Sequence, residues 1–83
     1  MASALVDFIK GFADYNNDSV IEIIGLETVI IENVLSVIEY EQNILRVTLD
    51  EHIVVVEGEN LRITDFIEKN IIVNGKIGGV RIE

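Results

Sequence analysis

The chain has 83 residues, with fifteen Asp and Glu against six Lys and Arg, and it has no Cys. A domain of this size buries only about 60–65% of its unfolded surface, and without Cys neither a disulfide nor a thiolate metal site can add to its stability. The formal net charge of −9 repels phosphate groups, and the apolar runs are too short to span a bilayer, so we expect neither a nucleic-acid partner nor membrane insertion.

The first predicted element is an amphipathic helix over residues 2–15. Its apolar side chains recur at i, i+3, i+4 and i+7, and they are Leu5, Phe8, Ile9 and Phe12. A helix this short is marginal in water, so it needs a surface, which is either the sheet of its own chain or a partner. We therefore divide the chain into an N-terminal helix and loop, residues 1–19, and a β domain, residues 20–83.

The β domain is predicted from its β-branched residues, since the chain holds 15 Ile and 11 Val, which fit pleated surfaces better than helices. Short apolar runs predict about eight strands, at 20–24, 28–32, 34–41, 44–49, 52–57, 61–66, 70–73 and 76–82. Turn residues every 8 to 12 positions, with no helical pattern between them, favour an antiparallel β-sandwich or a small barrel. A short β-solenoid is the alternative fold.

Turn residues mark the predicted reversals of the chain. They are Gly25, Gln42-Asn43, Asp50-Glu51, Gly58-Glu59-Asn60, Glu68-Lys69 and Asn74-Gly75. Asn74-Gly75 is the clearest signal, because both residues tolerate the positive φ of a type I′ turn, and it predicts a hairpin in which Val73 faces Lys76. The sequences leading into Gly58 and Gly75 are similar, which we interpret as two similar hairpins.

Several strands are apolar on both faces. Ile53 and Val55 alternate with Val54 and Val56, so this strand must be covered on both sides. The cover could be the N-terminal helix or a second copy of the chain, and we therefore expect self-association. The candidate interaction surface from sequence is Leu5, Phe8, Ile9, Phe12, Val54 and Val56.

Residues for catalysis or metal binding are scarce. His52 is the single histidine, so a zinc site lacks ligands, and a serine nucleophile would have this one residue as its only available base. Carboxylates two apart on a strand share a face and are usually solvated surface. Such pairs are Glu39 with Glu41, and Glu57 with Glu59. We expect no enzyme, no catalytic residue, no cofactor and no metal.

From residue 20 onward the succession of motifs resembles the YabP/YqfC family of bacterial sporulation proteins. The resemblance begins with Ile23-Ile24-Gly25, then Ile31-Glu32-Asn33 and a strand ending in Glu39-Tyr40. Two Gly-centred segments follow, Val54-x-Val56-x-Gly58-x-x-Leu61-x-Ile63 and Ile71-x-Val73-x-Gly75-x-Ile77-x-x-Val80-x-Ile82. The resemblance implies a protein of spore assembly without a cofactor or catalytic residues, and it does not include residues 1–19.

These observations together predict a structural or assembly protein of endospore formation. Its partner would be another copy of the chain or another spore-assembly protein. Because the N-terminus lacks the basic stretch of a signal peptide, we expect it in the cytoplasm, of a sporulating cell if the resemblance holds. The alternative function is a small-ligand carrier, in which the strands close into a barrel around a pocket.

Overall fold

The computed structural model describes residues 21–83, which form six β-strands. The strands are β1 (Ile21–Ile24), β2 (Thr28–Ile31), β3 (Ser36–Tyr40), β4 (Ile44–Thr48), β5 (Ile53–Ile67) and β6 (Asn70–Ile82). They form one sheet in the order β1-β2-β6-β5-β4-β3, and every pairing is antiparallel. The prediction of a mainly β, antiparallel fold is confirmed, and a β-solenoid, which stacks parallel strands, is not formed. The predicted helix over residues 2–15 lies outside the described residues.

Two of the predicted reversals are wrong, and eight predicted strands become six. Residues 58–60 and 74–75 do not turn the chain back, since β5 and β6 continue through them. Asn74 pairs with Thr28 on one side and with Arg62 on the other, so it lies inside the sheet. Gly75 lies opposite a bulge of β5 instead of in a turn, because Asn60, with φ of 54°, and Leu61 both face it.

The reversal between β5 and β6 is the predicted one at Glu68-Lys69. Ile67 pairs with Asn70, which leaves two residues in the loop, with φ of 56° and 108°. Positive φ at both loop residues is the type I′ geometry that matches the twist of a hairpin. The other predicted reversals, at Gly25, residues 42–43 and residues 50–51, also separate strands.

The long β5–β6 hairpin divides the sheet into two halves of four strands each. The half near the hairpin turn, here the tip half, contains β1, β2 and residues 61–67 and 70–74. The other, here the base half, contains β3, β4 and residues 53–57 and 76–82. Each half therefore consists of one short hairpin paired with one part of the long hairpin.

The core lies between the two halves and is built from rows of paired side chains. In the tip half the rows are Ile23-Val29-Val73-Ile63 and Ile21-Ile31-Ile71-Phe66. In the base half they are Tyr40-Leu45-Val56-Val80 and Val37-Val47-Val54-Ile82. The two middle residues of every row are fully buried and belong to one cluster, so the sheet curls until its halves face each other. Each of these side chains contributes about 1.5–3 kcal/mol by its burial.

The hairpin bends between the halves at two glycines, where the backbones of β5 and β6 approach closely. A Cβ atom on Gly58 would collide with the carbonyl oxygen of Lys76, and one on Gly75 would lie 2.8 Å from that of Asn60. The similar sequences around Gly58 and Gly75 therefore mark the two bends of one hairpin, and the prediction of two hairpins is wrong.

Each bend also receives the turn of a short hairpin. The N–H groups of Gly58 and Leu61 donate to the carbonyls of residues 43 and 42 in the β3–β4 turn, at 3.1 and 2.8 Å. Those of Gly75 and Ile77 donate to the carbonyls of residues 27 and 26 in the β1–β2 turn, at 3.0 and 2.9 Å. The turns thus satisfy backbone donors that lie beyond the last residues of β5 and β6 paired with β4 and β2.

The first prediction concerns the bend. We expect Gly58→Ala to destabilise the chain by about 2–3 kcal/mol, because the added methyl group meets backbone that cannot move aside without breaking the sheet. Gly79→Ala is the matched control, since a Cβ there has no atom within 4 Å. Urea unfolding followed by circular dichroism measures both. Equal midpoints for the two variants would contradict the proposed close approach.

The second prediction concerns the hairpin turn. We expect Lys69→Gly to stabilise the chain by about 0.5–1 kcal/mol, because a side chain at φ 108° is strained and glycine relieves that strain. Lys76→Gly, the same change within β6, should destabilise it by a similar amount, since glycine weakens a strand interior. In thermal unfolding, the midpoint temperature should rise above that of the parent chain for Lys69→Gly and fall below it for Lys76→Gly.

Candidate interaction surface

The structure separates the residues that the sequence analysis grouped as an interaction surface. Val54 and Val56 lie in the middle of the base-half rows and have no exposed surface. β4 and β6 flank them, and the tip half covers them from the facing side, so a partner cannot reach them. Leu5, Phe8, Ile9 and Phe12 lie outside the described residues.

The apolar side chains that are exposed in residues 21–83 follow the edges of the sheet halves. Four of them end core rows: Ile23, Tyr40, Phe66 and Ile82. Each of these four has a neighbouring strand on one side only and keeps about half of its surface, whereas the row ends Ile21, Val37, Ile63 and Val80 are partly buried against the core. The other four are Leu26, Leu35, Ile38 and Ile67.

Three of the exposed side chains follow one edge strand, and we call Leu35, Ile38 and Tyr40 the β3 edge surface. They are 58%, 52% and 48% exposed. Within the described part of the sheet β3 pairs with β4 alone. The register skips Ile38, between the pairs formed by residues 37 and 39, and this bulge leaves the Ile38 side chain without a cross-strand neighbour. The sequence showed an apolar run here but gave no signal that β3 is an edge.

Three hydrogen bonds to two other strands, β4 and β5, hold the β3 edge surface and its neighbour Ser36 in place. The hydroxyl of Ser36 bonds that of Thr48 on β4 at 2.6 Å. The hydroxyl oxygen of Tyr40 accepts a hydrogen bond from the Ile63 N–H at 2.7 Å, which links the base half to the tip half. The Leu35 N–H donates to the Thr48 carbonyl at 2.8 Å. The exposed side chains therefore stand on ordered backbone, which lowers the entropy lost on binding.

The outer face of the base half carries charged residues over one valine. Val55 lies between Arg46 and Arg81 in the sheet and is fully buried. The Glu83 carboxylate bonds both guanidinium groups, at 3.0 Å to Arg46 and 3.4 Å to Arg81. The arginine side chains thus cover Val55 with their hydrocarbon stems while their charged ends remain in contact with water.

Three of the four carboxylates considered from the sequence bond basic residues of neighbouring strands. Glu39 bonds Arg46 at 2.8 Å, Glu59 lies 3.4 Å from Lys76, and Glu57 bonds Arg81. These are surface ion pairs, each contributing up to about 1 kcal/mol. This arrangement stabilises strand pairing, and the fourth carboxylate, Glu41, lines an open cleft beside one bend.

His52 is the remaining side chain that the sequence analysis considered for catalysis or metal binding. The His52 side chain is exposed, and its carbonyl accepts the Leu49 N–H in the turn before β5. Among residues 21–83 no three His, Asp or Glu side chains lie close enough to hold a metal ion.

Two open clefts lie beside the bends. One, of about 550 Å³, is lined by Tyr40, Glu41, Gln42, Asn60, Leu61 and Arg62. The other, of about 580 Å³, is lined by residues 25–27 and 74–77. Between the halves, twelve buried side chains of the chain itself occupy the space that a central ligand pocket would need.

Comparison of the chain with protein-family models, with curated proteins and with solved structures found no match. The resemblance to the YabP/YqfC family therefore stays a prediction. No helix in residues 21–83 is long and apolar enough to cross a membrane.

The third prediction tests the hydrogen bond that links the two halves. We expect Tyr40→Phe to lower the free energy of unfolding by about 1 kcal/mol, because the Ile63 N–H loses its acceptor. Amide exchange at Ile63 should become faster, whereas exchange at Leu61, whose N–H bonds the Gln42 carbonyl, should change little. Equal acceleration at both amides would indicate general destabilisation instead of loss of this bond.

Proposed function

We propose that this chain is a non-enzymatic structural protein that assembles with other copies of itself, or with another spore-assembly protein, through the β3 edge surface. One observation carries the proposal: Leu35, Ile38 and Tyr40 are exposed together along an edge strand. The backbone of such an edge offers hydrogen-bonding groups, and the apolar side chains offer area to bury.

The energy available from this surface fits reversible assembly. In a symmetric dimer six half-exposed side chains would be covered, at about 1 kcal/mol each, or about 6 kcal/mol in all. Loss of translational and rotational freedom opposes this with at least about 4 kcal/mol, so the contact by itself is weak and depends on concentration. Backbone pairing along β3 would add to it, and repetition of the contact would favour larger assemblies.

The charge pattern supports a role in protein contacts over a role in chemistry. The carboxylates on the outer face of the base half form ion pairs that cover Val55. The strand β3 itself has a single charged residue, Glu39, which bonds Arg46. An edge without lysine or proline lacks two of the devices by which proteins commonly block strand pairing.

The setting that we propose is the cytoplasm of a sporulating bacterial cell, and its support is the resemblance to the YabP/YqfC family. We further propose that the curled sheet is best described as a β-sandwich, because two four-stranded halves contribute facing rows to one core.

The fourth prediction tests assembly. We expect the mass of the full chain, measured by light scattering after size exclusion, to rise with concentration through the micromolar range. Replacing Leu35 and Ile38 together by serine should hold the protein as a monomer, with a change in unfolding free energy of about 1 kcal/mol or less, because both side chains are exposed.

Leu26→Ser is the matched control, since Leu26 is exposed in the turn at the other end of the sheet order, and it should assemble like the parent chain. A parent chain that is monomeric at every concentration would refute self-assembly. A double variant that assembles as well as the parent would refute the β3 edge surface.

A further inference from the structure

The outer face of the tip half buries two isoleucines that lie outside the core cluster. Ile30 and Ile72 are neighbours in the row Glu22-Ile30-Ile72-Asp65, on the side of the sheet opposite Val29, Ile31 and Val73. They are 1% and 7% exposed. Such values are typical of a side chain with another layer packed on it, not of one on an open sheet face.

The neighbours of Ile30 and Ile72 within the sheet do not supply that layer. The row ends in two carboxylates, Glu22 and Asp65, and Asp65 is exposed. Beside the row, the Asn74 side chain bonds those of Thr28 and Thr64, each at 2.7 Å, so these polar groups are occupied with one another. In the base half, by contrast, two arginines joined through Glu83 cover the corresponding valine.

We infer that residues 2–15 pack as a helix on the outer face of the tip half and cover Ile30 and Ile72. Residues 21–83 are placed in the two halves and their connections, so the part of the chain left to supply the layer is residues 1–20. That segment leads directly into β1, the edge strand of this same half. The sequence provides the matching surface, an apolar face of Leu5, Phe8, Ile9 and Phe12.

The dimensions of the two surfaces agree. A helix of fourteen residues is about 21 Å long, and four strands about 4.8 Å apart span roughly 14–19 Å. Residues 16–20 can reach at most about 17 Å when extended, which is enough to turn the chain from β1 back over the sheet. The helix thus finds its surface in its own chain, and the β3 edge surface, on the other half, stays free for a partner.

Nuclear Overhauser contacts in the full-length chain test this inference directly. We expect cross-peaks from the ring protons of Phe8 or Phe12 to the methyl groups of Ile30 and Ile72, and none to Ile67, which is exposed at the hairpin turn. A mixture of labelled and unlabelled chains separates contacts within one chain from contacts between chains. Absence of the cross-peaks, or their appearance only between chains, would overturn the inference.

A second measurement uses a soluble paramagnetic agent, which broadens methyl signals that solvent can reach. Replacing Phe8 and Phe12 together by serine should increase this effect at Ile30 and Ile72 several-fold and leave Val55 unchanged, because the arginines still cover it. Phe66→Ser is the control, since Phe66 is already half exposed. Unchanged protection of Ile30 and Ile72 in the double variant would also overturn the inference.

Discussion

The close approach of β5 and β6 at Gly58 and Gly75 is the constraint on which the rest of the structure depends. Because no Cβ intervenes, the two backbones can bend together, and the two ends of one hairpin then belong to two sheet halves. A short hairpin docks its turn at each bend and satisfies the backbone donors there. The bend thus turns a sheet that would have one exposed apolar face into two facing layers with a shared core, which is how a chain of this size buries enough hydrocarbon.

The second apolar face is covered differently in each half. In the base half, Arg46 and Arg81 lie over Val55 and are joined by Glu83, so charged residues supply the cover. In the tip half, Ile30 and Ile72 are buried although their row ends in carboxylates. The contrast explains why a chain of high net charge can contain strands that are apolar on both sides. It also distinguishes the covered outer faces, which the fold needs, from the β3 edge surface, which is available to a partner.

The available surface arises from the ends of the core rows. A row of four side chains buries its middle two completely, whereas its outer members have a neighbour on one side only. At β3 this effect combines with a bulge at Ile38 and a flanking leucine, and the result is an apolar edge on ordered backbone. The assembly function that we propose rests on this strand order, which places β3 at the end of the sheet, and not on a reactive group.

The sequence by itself determined the class of fold and most of the strand positions, because β-branched residues and local turn preferences act over a few residues. It also determined that residues 54–56 would be covered on both faces. Tertiary structure alone decided whether a glycine makes a turn or a bulge: Asn74-Gly75 suits both by its φ preference, and the pairing of Asn74 with strands on both sides selects the bulge. It likewise decided that Val54 and Val56 are core and that Leu35, Ile38 and Tyr40 are surface, since burial depends on which strands become neighbours, and an apolar pattern specifies a face without specifying what covers it.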